Sequence, residues 1–265
     1  MHLRILSLLS TLLLIGNAHA ELKLEKGDHL VLIGNGLGSR MMNYGHFETE
    51  VQLRHPELQI TIRNACDEGN TPGYRPHSGR DNPYAFPGAE KFFPLSKARD
   101  RWKSGSTGVG FEKTPDEWLK ELEADHLVAF FGFNESFKGP DGVEAFKQEL
   151  SAFIDHTLAQ KYNGESAPTL TLVSPIAFQD LSDLYGTPDG TTQNANLAIY
   201  TKAMEQVADA KKVAFINLFA PTSQWFKDSD APLTRDGALL TDEGYAKLAP
   251  VLADGLFGKA AKVER

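Results

Sequence analysis

Apolar residues run along this chain in short blocks, each closed by a turn former. Leu30-Val31-Leu32-Ile33 ends on Gly34 and predicts a buried strand. Leu58 to Arg63 alternates apolar and polar residues and predicts a second. Leu127 to Phe131, Leu170 to Val173 and Val213 to Asn217 predict three more, the first stopped by Gly132 and the next by Ser174-Pro175. Helical spacing fills the intervals: Gly38 to Leu53, ended by Pro56, then Val143 to Tyr162, then Asn194 to Ala210. Thr114-Pro115-Asp116-Glu117 reads as a capping box with proline at the first helical position, opening a helix to about Ala124. Thr241 caps a last helix that reaches about Leu256. Five apolar strands separated by helices predict a single α/β domain of flavodoxin-like, three-layer αβα form around a five-stranded parallel sheet. Ligands of such sheets sit beyond the carboxyl ends of the strands, so chemistry is sought in the residues that follow each one.

The amino terminus follows a different pattern. His2 and Arg4 precede an apolar run from Ile5 to Ile15, Gly16-Asn17 breaks it, and Ala18-His19-Ala20 supplies small residues at a cleavage position. This is the pattern of a secretory signal peptide over residues 1–20. The run is short for a bilayer crossing, so no stable membrane span is expected. The expected location is secreted or periplasmic, with a mature chain of residues 21–265. One cysteine, Cys66, leaves an exported domain without an internal disulfide, so burial of the core must stabilise it.

Composition narrows the partners. The chain of 265 residues is 41% hydrophobic and 23% charged, a globular balance, and its formal net charge is −8. An acidic chain is a poor match for a phosphate backbone, so nucleic acid is set aside as a partner. That acidity is not uniform. Gly73 to Lys113 lacks clear periodicity and holds eight basic residues against four acidic ones, with seven aromatics among them. It reads as a loop-rich insertion, and long loops of this kind are often lids or binding loops. Aromatic faces beside Arg75 and Arg80 suit a small-molecule or saccharide ligand; charges solvated on the flank of the domain are the plainer reading.

The residues after the strands are mostly Gly and Asn. Strand one is followed by Gly34-Asn35-Gly36-Leu37, strand two by Asn64 and then Gly69-Asn70-Thr71, strand three by Gly132-Phe133-Asn134-Glu135, and Asp236-Gly237-Ala238-Leu239-Leu240-Thr241 comes near the end. In this order the four blocks resemble those of the SGNH or GDSL hydrolase family, over about Gly27 to Gly258. Asn64 to Thr71 and Phe130 to Ser136 also resemble a secreted subgroup of planctomycete-type bacteria. The resemblance implies an ester hydrolase acting on acetyl or acyl groups of saccharides or lipids. It implies an oxyanion site made by Gly69 and Asn134 beside Asn35, and a carboxylate, Asp236, that orients a histidine. No cofactor and no metal are implied.

The departures from the family pattern bear on activity. Its nucleophilic serine falls on Gly36 and its histidine on Leu239. Glycine has no side chain to attack with, and leucine carries no proton. Ser39 and Ser136 are substitute hydroxyls to weigh, against the plainer readings of a cap and a loop hydroxyl bonded to its own backbone. Among the histidines only His77 is expected to leave the carboxyl end of a strand, which makes it the substitute base. Asn64, Arg75 and Arg80 are the ligand-binding candidates. Two functions stay open: an ester hydrolase with a non-standard set built on Asp236 and His77, or a non-catalytic protein that binds a saccharide or acyl ligand in the inherited crevice.

Overall fold

The computed structural model describes residues 21–76, 82–94 and 113–259. Five strands, β1 (His29–Gly34), β2 (Thr61–Cys66), β3 (His126–Phe130), β4 (Thr169–Val173) and β5 (Ala214–Ile216), form one sheet in the order β2-β1-β3-β4-β5. Every pairing is parallel. This is the predicted architecture, and the strand order reverses between β1 and β3.

Alternation along the strands builds the layers. In β1, Val31 and Ile33 face one side with Leu127 and Ala129 of β3. There they meet Leu119 of α3 (Pro115–Glu121), Phe146 to Ile154 of α5 (Val143–Leu158) and Tyr200 to Ala208 of α7 (Thr191–Lys211). Leu30 and Leu32 face the other side with Val128 and Phe130. That side is covered by Phe47 and Val51 of α2 (His46–Arg54) and by Tyr245 to Leu256 of α9 (Asp242–Phe257). Burying both faces is what lets the strands be apolar throughout. Arg54 fastens α2 to α9: it pairs with Asp254 at 2.8 Å and with Glu50 at 3.3 Å, and donates to the Pro250 and Gly258 carbonyls.

Two sequence expectations are corrected. The second strand runs from Thr61 to Cys66 and not from Leu58, because Gln59 turns with φ 54° and pairing with β1 starts at His29↔Thr61. Asn64 and Cys66 therefore lie within the strand. The helix expected over Gly38 to Leu53 is broken into α1 (Gly36–Arg40), a 3-10 turn at Met41–Asn43, and α2. Tyr44 leaves helical geometry there and stacks on Tyr245 with ring centroids 4.9 Å apart. Three helices lacked a sequence signal: α4 (Phe133–Ser136), α6 (Ser182–Tyr185) and α8 (Phe219–Asp228).

The described part of the insertion is anchored to the domain. Tyr74 bridges Tyr84 in antiparallel fashion and stacks on Phe93 at 4.2 Å, while Ala85, Phe86 and Ala89 join the core beneath α5. Among the described residues, no helix is long and apolar enough to cross a membrane.

Candidate functional site

The sheet presents its carboxyl edge where β1 passes into α1 and β3 into α4. Gly34 turns with φ 120° and its Cα lies so close to Phe130 that a Cβ would strike the Phe130 backbone. This close approach lets the two crossing points sit side by side. Asn35, 2% exposed, caps α1 by accepting from the Leu37 N–H at 3.3 Å through Oδ1. Gly36 follows as the first helical residue.

Gly36 and Leu239 are brought together in the structure. Both line a small cavity of about 30 Å³ with Asn35, Phe131, Phe133 and Ile176. A space of this size holds little more than a water, and its walls are mostly apolar. Ser174 also lines it, but its Oγ donates to the Pro175 carbonyl and accepts from the Leu218 and Phe219 N–H groups. That hydroxyl is tied into the fold and is not poised to attack. Ser39 lies inside α1, which Asn35 caps, and is outside the lining; the Ser136 hydroxyl bonds the Phe133 carbonyl at 2.7 Å, the plainer reading for that residue.

The residues expected to form an oxyanion site have partners within the fold. Asn134 was expected to donate to a substrate. Its amide Nδ2 instead donates to the Glu68 and Asn70 carbonyls, both at 2.8 Å, so both amide protons hold the loop that carries Gly69. Gly69 is solvent-exposed on that loop, with Pro76 close to its Cα side. Asp236 likewise serves its own turn: Oδ1 accepts from the Ala238 and Leu239 N–H groups at 3.0 and 2.8 Å. It shapes the turn that puts Leu239 over Gly36 and orients no imidazole within the described residues. His77 and Arg80 lie outside the described residues. Arg40 pairs with Glu68 at 3.2 Å at the edge of the crevice.

The ligand-binding candidates Asn64 and Arg75 line a different and larger cavity beside β2. Asn64 is a structural pin, because Nδ2 donates to the Gly38 carbonyl at 2.7 Å and Oδ1 accepts from the Cys66 N–H at 3.0 Å. Arg75 is 5% exposed, and its guanidinium lies over the Phe153 ring at 5.4 Å. Cys66 is buried, and burial pushes its thiol pKa up, which leaves it unreactive.

Two buried carboxyl groups behind the crevice escaped sequence reasoning. Glu149 of α5 accepts from the Thr71 hydroxyl at 2.7 Å and the Gly73 N–H at 2.8 Å. Glu135 of α4 accepts from the Gly132 N–H at 2.7 Å. Burial, reinforced by the neighbouring Glu149, pushes the Glu135 carboxyl up to about 8. A glutamate at this position looked like part of the third block, and nothing in the sequence placed Glu149 against it. His46 of α2 bonds Asp242 at 2.7 Å and joins α2 to the start of α9.

No protein-family model matches the chain, and no curated protein matches it in sequence. Solved structures do. A GDSL-like lipase from Parabacteroides merdae superposes with a TM-score of 0.60 at 14% identity, covering 89% of this chain and 99% of that one. Axe2, an acetylxylan esterase from Geobacillus stearothermophilus, gives 0.56 at 16% identity, covering 89% of this chain and 96% of its own. LAE5, an alpha/beta hydrolase from the metagenome of Lake Arreo, gives 0.57 at 13% identity, covering 90% and 99%. Catalytic mutants of Axe2 replace a serine, a histidine and the aspartate three positions before that histidine. At these identities the likeness is one of fold: the chain has the SGNH/GDSL-type fold over nearly all of its described length.

Proposed function

We propose that this protein is an exported, non-catalytic member of the SGNH/GDSL fold that binds a saccharide or acyl ligand and does not hydrolyse it. The observation that carries the non-catalytic part of this reading is the apolar cavity of about 30 Å³ lined by Gly36 and Leu239, which holds neither a nucleophile nor a base; a ligand would have to sit at the mouth of the crevice and not inside this cavity. Asp236-x-x-Leu239 has the spacing of the aspartate and histidine replaced in catalytic mutants of Axe2, which supports reading Leu239 as the counterpart of that histidine. No side chain at Gly36 supplies a nucleophile, and the Asn134 amide is committed to two backbone carbonyls. Removing both the nucleophile and the base leaves at best a residual oxyanion effect, several powers of ten below a working enzyme. Export rests on the basic, apolar and small-residue segments of residues 1–20.

The test is chemical. The mature protein should not be labelled by a serine-directed fluorophosphonate and should not turn over p-nitrophenyl acetate above a heat-treated control. The Gly36→Ser/Leu239→His double variant should become labelled, because a Cβ at Gly36 meets only Glu68 Cγ at 3.7 Å. Clear turnover by the wild-type protein that is lost in His77→Ala would replace this reading with that of a hydrolase using a substitute base.

A further inference from the structure

The rim of the crevice differs in chemistry from the apolar cavity behind it. On one side Glu68 lies across Gly36, where an added Cβ would meet its Cγ at 3.7 Å. Glu68 is exposed, and its Oε1 accepts from Nη1 of the half-buried Arg40 at 3.2 Å. Among the described residues no protein group takes Glu68 Oε2 or Arg40 Nη2, so the pair keeps a free acceptor beside a free donor. On the other side is Phe137, which ends α4 in helical geometry with φ −64° and ψ −18°. Its ring meets that of Phe133, a residue of the cavity wall, edge to face with centroids 5.4 Å apart. At 73% exposure it is the most exposed large apolar side chain among the described residues. A single surface phenylalanine needs no explanation by itself. This one is fixed to the polar side of the rim. Residues three and four apart on a helix are neighbours, so Phe137 stands beside Asn134 as well as Phe133. Asn134 in turn holds the Glu68 carbonyl at 2.8 Å.

These groups choose between the two ligands that the proposed function leaves open. An acyl chain needs an apolar channel to enter, and behind the rim there is only a cavity of about 30 Å³. A sugar needs an aromatic surface for the C–H face of its ring. It also needs an acceptor next to a donor, because each hydroxyl both gives and takes a hydrogen bond. The rim supplies both, and the charges of Glu68 and Arg40 cancel, which favours a neutral ligand. We infer that the mouth of the crevice binds a neutral oligosaccharide that lies across it without entering. One ring stacks on Phe137, and neighbouring hydroxyls bond Glu68 Oε2 and Arg40 Nη2. This inference rests on the non-catalytic reading of the crevice and names the ligand class that its rim selects.

Saturation-transfer difference NMR on the full mature chain provides the test, with cellotriose as the neutral saccharide probe and ethyl butyrate as the acyl probe. Transfer to the cellotriose ring protons is expected, with at least about fivefold less to ethyl butyrate. Phe137→Ala should reduce the cellotriose signal about fivefold or more, Phe137→Trp should restore it, and Glu68→Ala should reduce it about threefold or more. Both side chains are exposed, so the Tm of each alanine variant should stay within about 2 °C of the wild type, which separates loss of the site from loss of the fold. Transfer to cellotriose that survives Phe137→Ala at full strength would overturn the proposal. Equal or greater transfer to ethyl butyrate would overturn the choice of a saccharide over an acyl ligand. Absence of transfer to cellotriose would overturn the saccharide assignment and leave the non-catalytic reading standing, since that reading is tested by fluorophosphonate labelling and ester turnover and not by binding.

Discussion

Three glycines lie within five residues at the end of β1, and they are glycine for different reasons. At Gly34 a Cβ would strike the Phe130 backbone, and the φ of 120° disfavours any other residue. At Gly38 a Cβ would fall 2.5 Å from Cys66 Sγ and 2.8 Å from the Phe130 ring. At Gly36 it would meet only Glu68 Cγ at 3.7 Å, an ordinary contact. The backbone therefore does not require a glycine at Gly36, the position that the sequence resemblance matches to the family's serine. Urea unfolding should separate the three. Gly34→Ala should cost on the order of 3 kcal/mol or more through strain and overpacking, Gly38→Ala about 1–3 kcal/mol through overpacking, and Gly36→Ala less than about 0.5 kcal/mol. A large cost at Gly36 would mean that the glycine is structural. The motif residues themselves were legible in the sequence. What Asn134 and Asp236 do with their hydrogen bonds was not, since both serve backbone groups that only the folded loops bring within reach.

Among the elements, legibility followed the strength of local chemistry. The α3 capping box is present as read, with the Glu117 N–H donating to Thr114 Oγ1 and the Glu117 carboxylate accepting from the Thr114 N–H. Thr241 caps α9 as expected, and does more. Its hydroxyl accepts from the Gly244 N–H, and both its hydroxyl and its N–H donate to the Leu233 carbonyl. It thus closes the turn that carries Leu239 while starting the helix. Thr241→Ala should cost toward the upper end of the usual range for a lost cap, about 0.5–2 kcal/mol, and Thr241→Ser should restore most of it, as read from chemical denaturation midpoints. The start of β2 and the short helices α4 and α6 were not legible. One- and two-turn helices carry too few residues for a periodic signal, and the register of an edge strand is set by its neighbour.

At the scale of the molecule, two apolar clusters on opposite faces of the sheet hold the layers together, and a buried acid pair interrupts one of them. Glu135 is raised from an ordinary 4.5 to about 8, first by burial and then by Glu149, with Lys138 opposing. Between about pH 4.5 and pH 8 the unfolded chain gives up this proton while the folded chain keeps it. The unfolded state binds fewer protons in that window, so stability falls as pH rises through it and levels off above about 8. Glu135→Gln keeps an acceptor for the Gly132 N–H and carries no proton to lose. The wild-type denaturation midpoint should decline between pH 5 and pH 8 more steeply than that of the variant, and the variant should be the more stable at pH 8. Parallel slopes would show that Glu135 ionises normally in the fold.

The class of fold, the order of the strands along the chain, the helix caps and the four Gly- and Asn-rich turns, with Gly36 and Leu239 among their residues, were all legible in the sequence. These are local patterns, written in the period of apolar residues and in the chemistry of turns. Tertiary structure decided what those turns do. It set Leu239 over Gly36 in an apolar cavity, spent the Asn134 amide on a neighbouring loop, buried two carboxyl groups behind it, and left Phe137 exposed on the rim that carries Glu68 and Arg40. Hydrogen-bond partners and burial depend on residues tens of positions away, and no periodicity records which of them will meet.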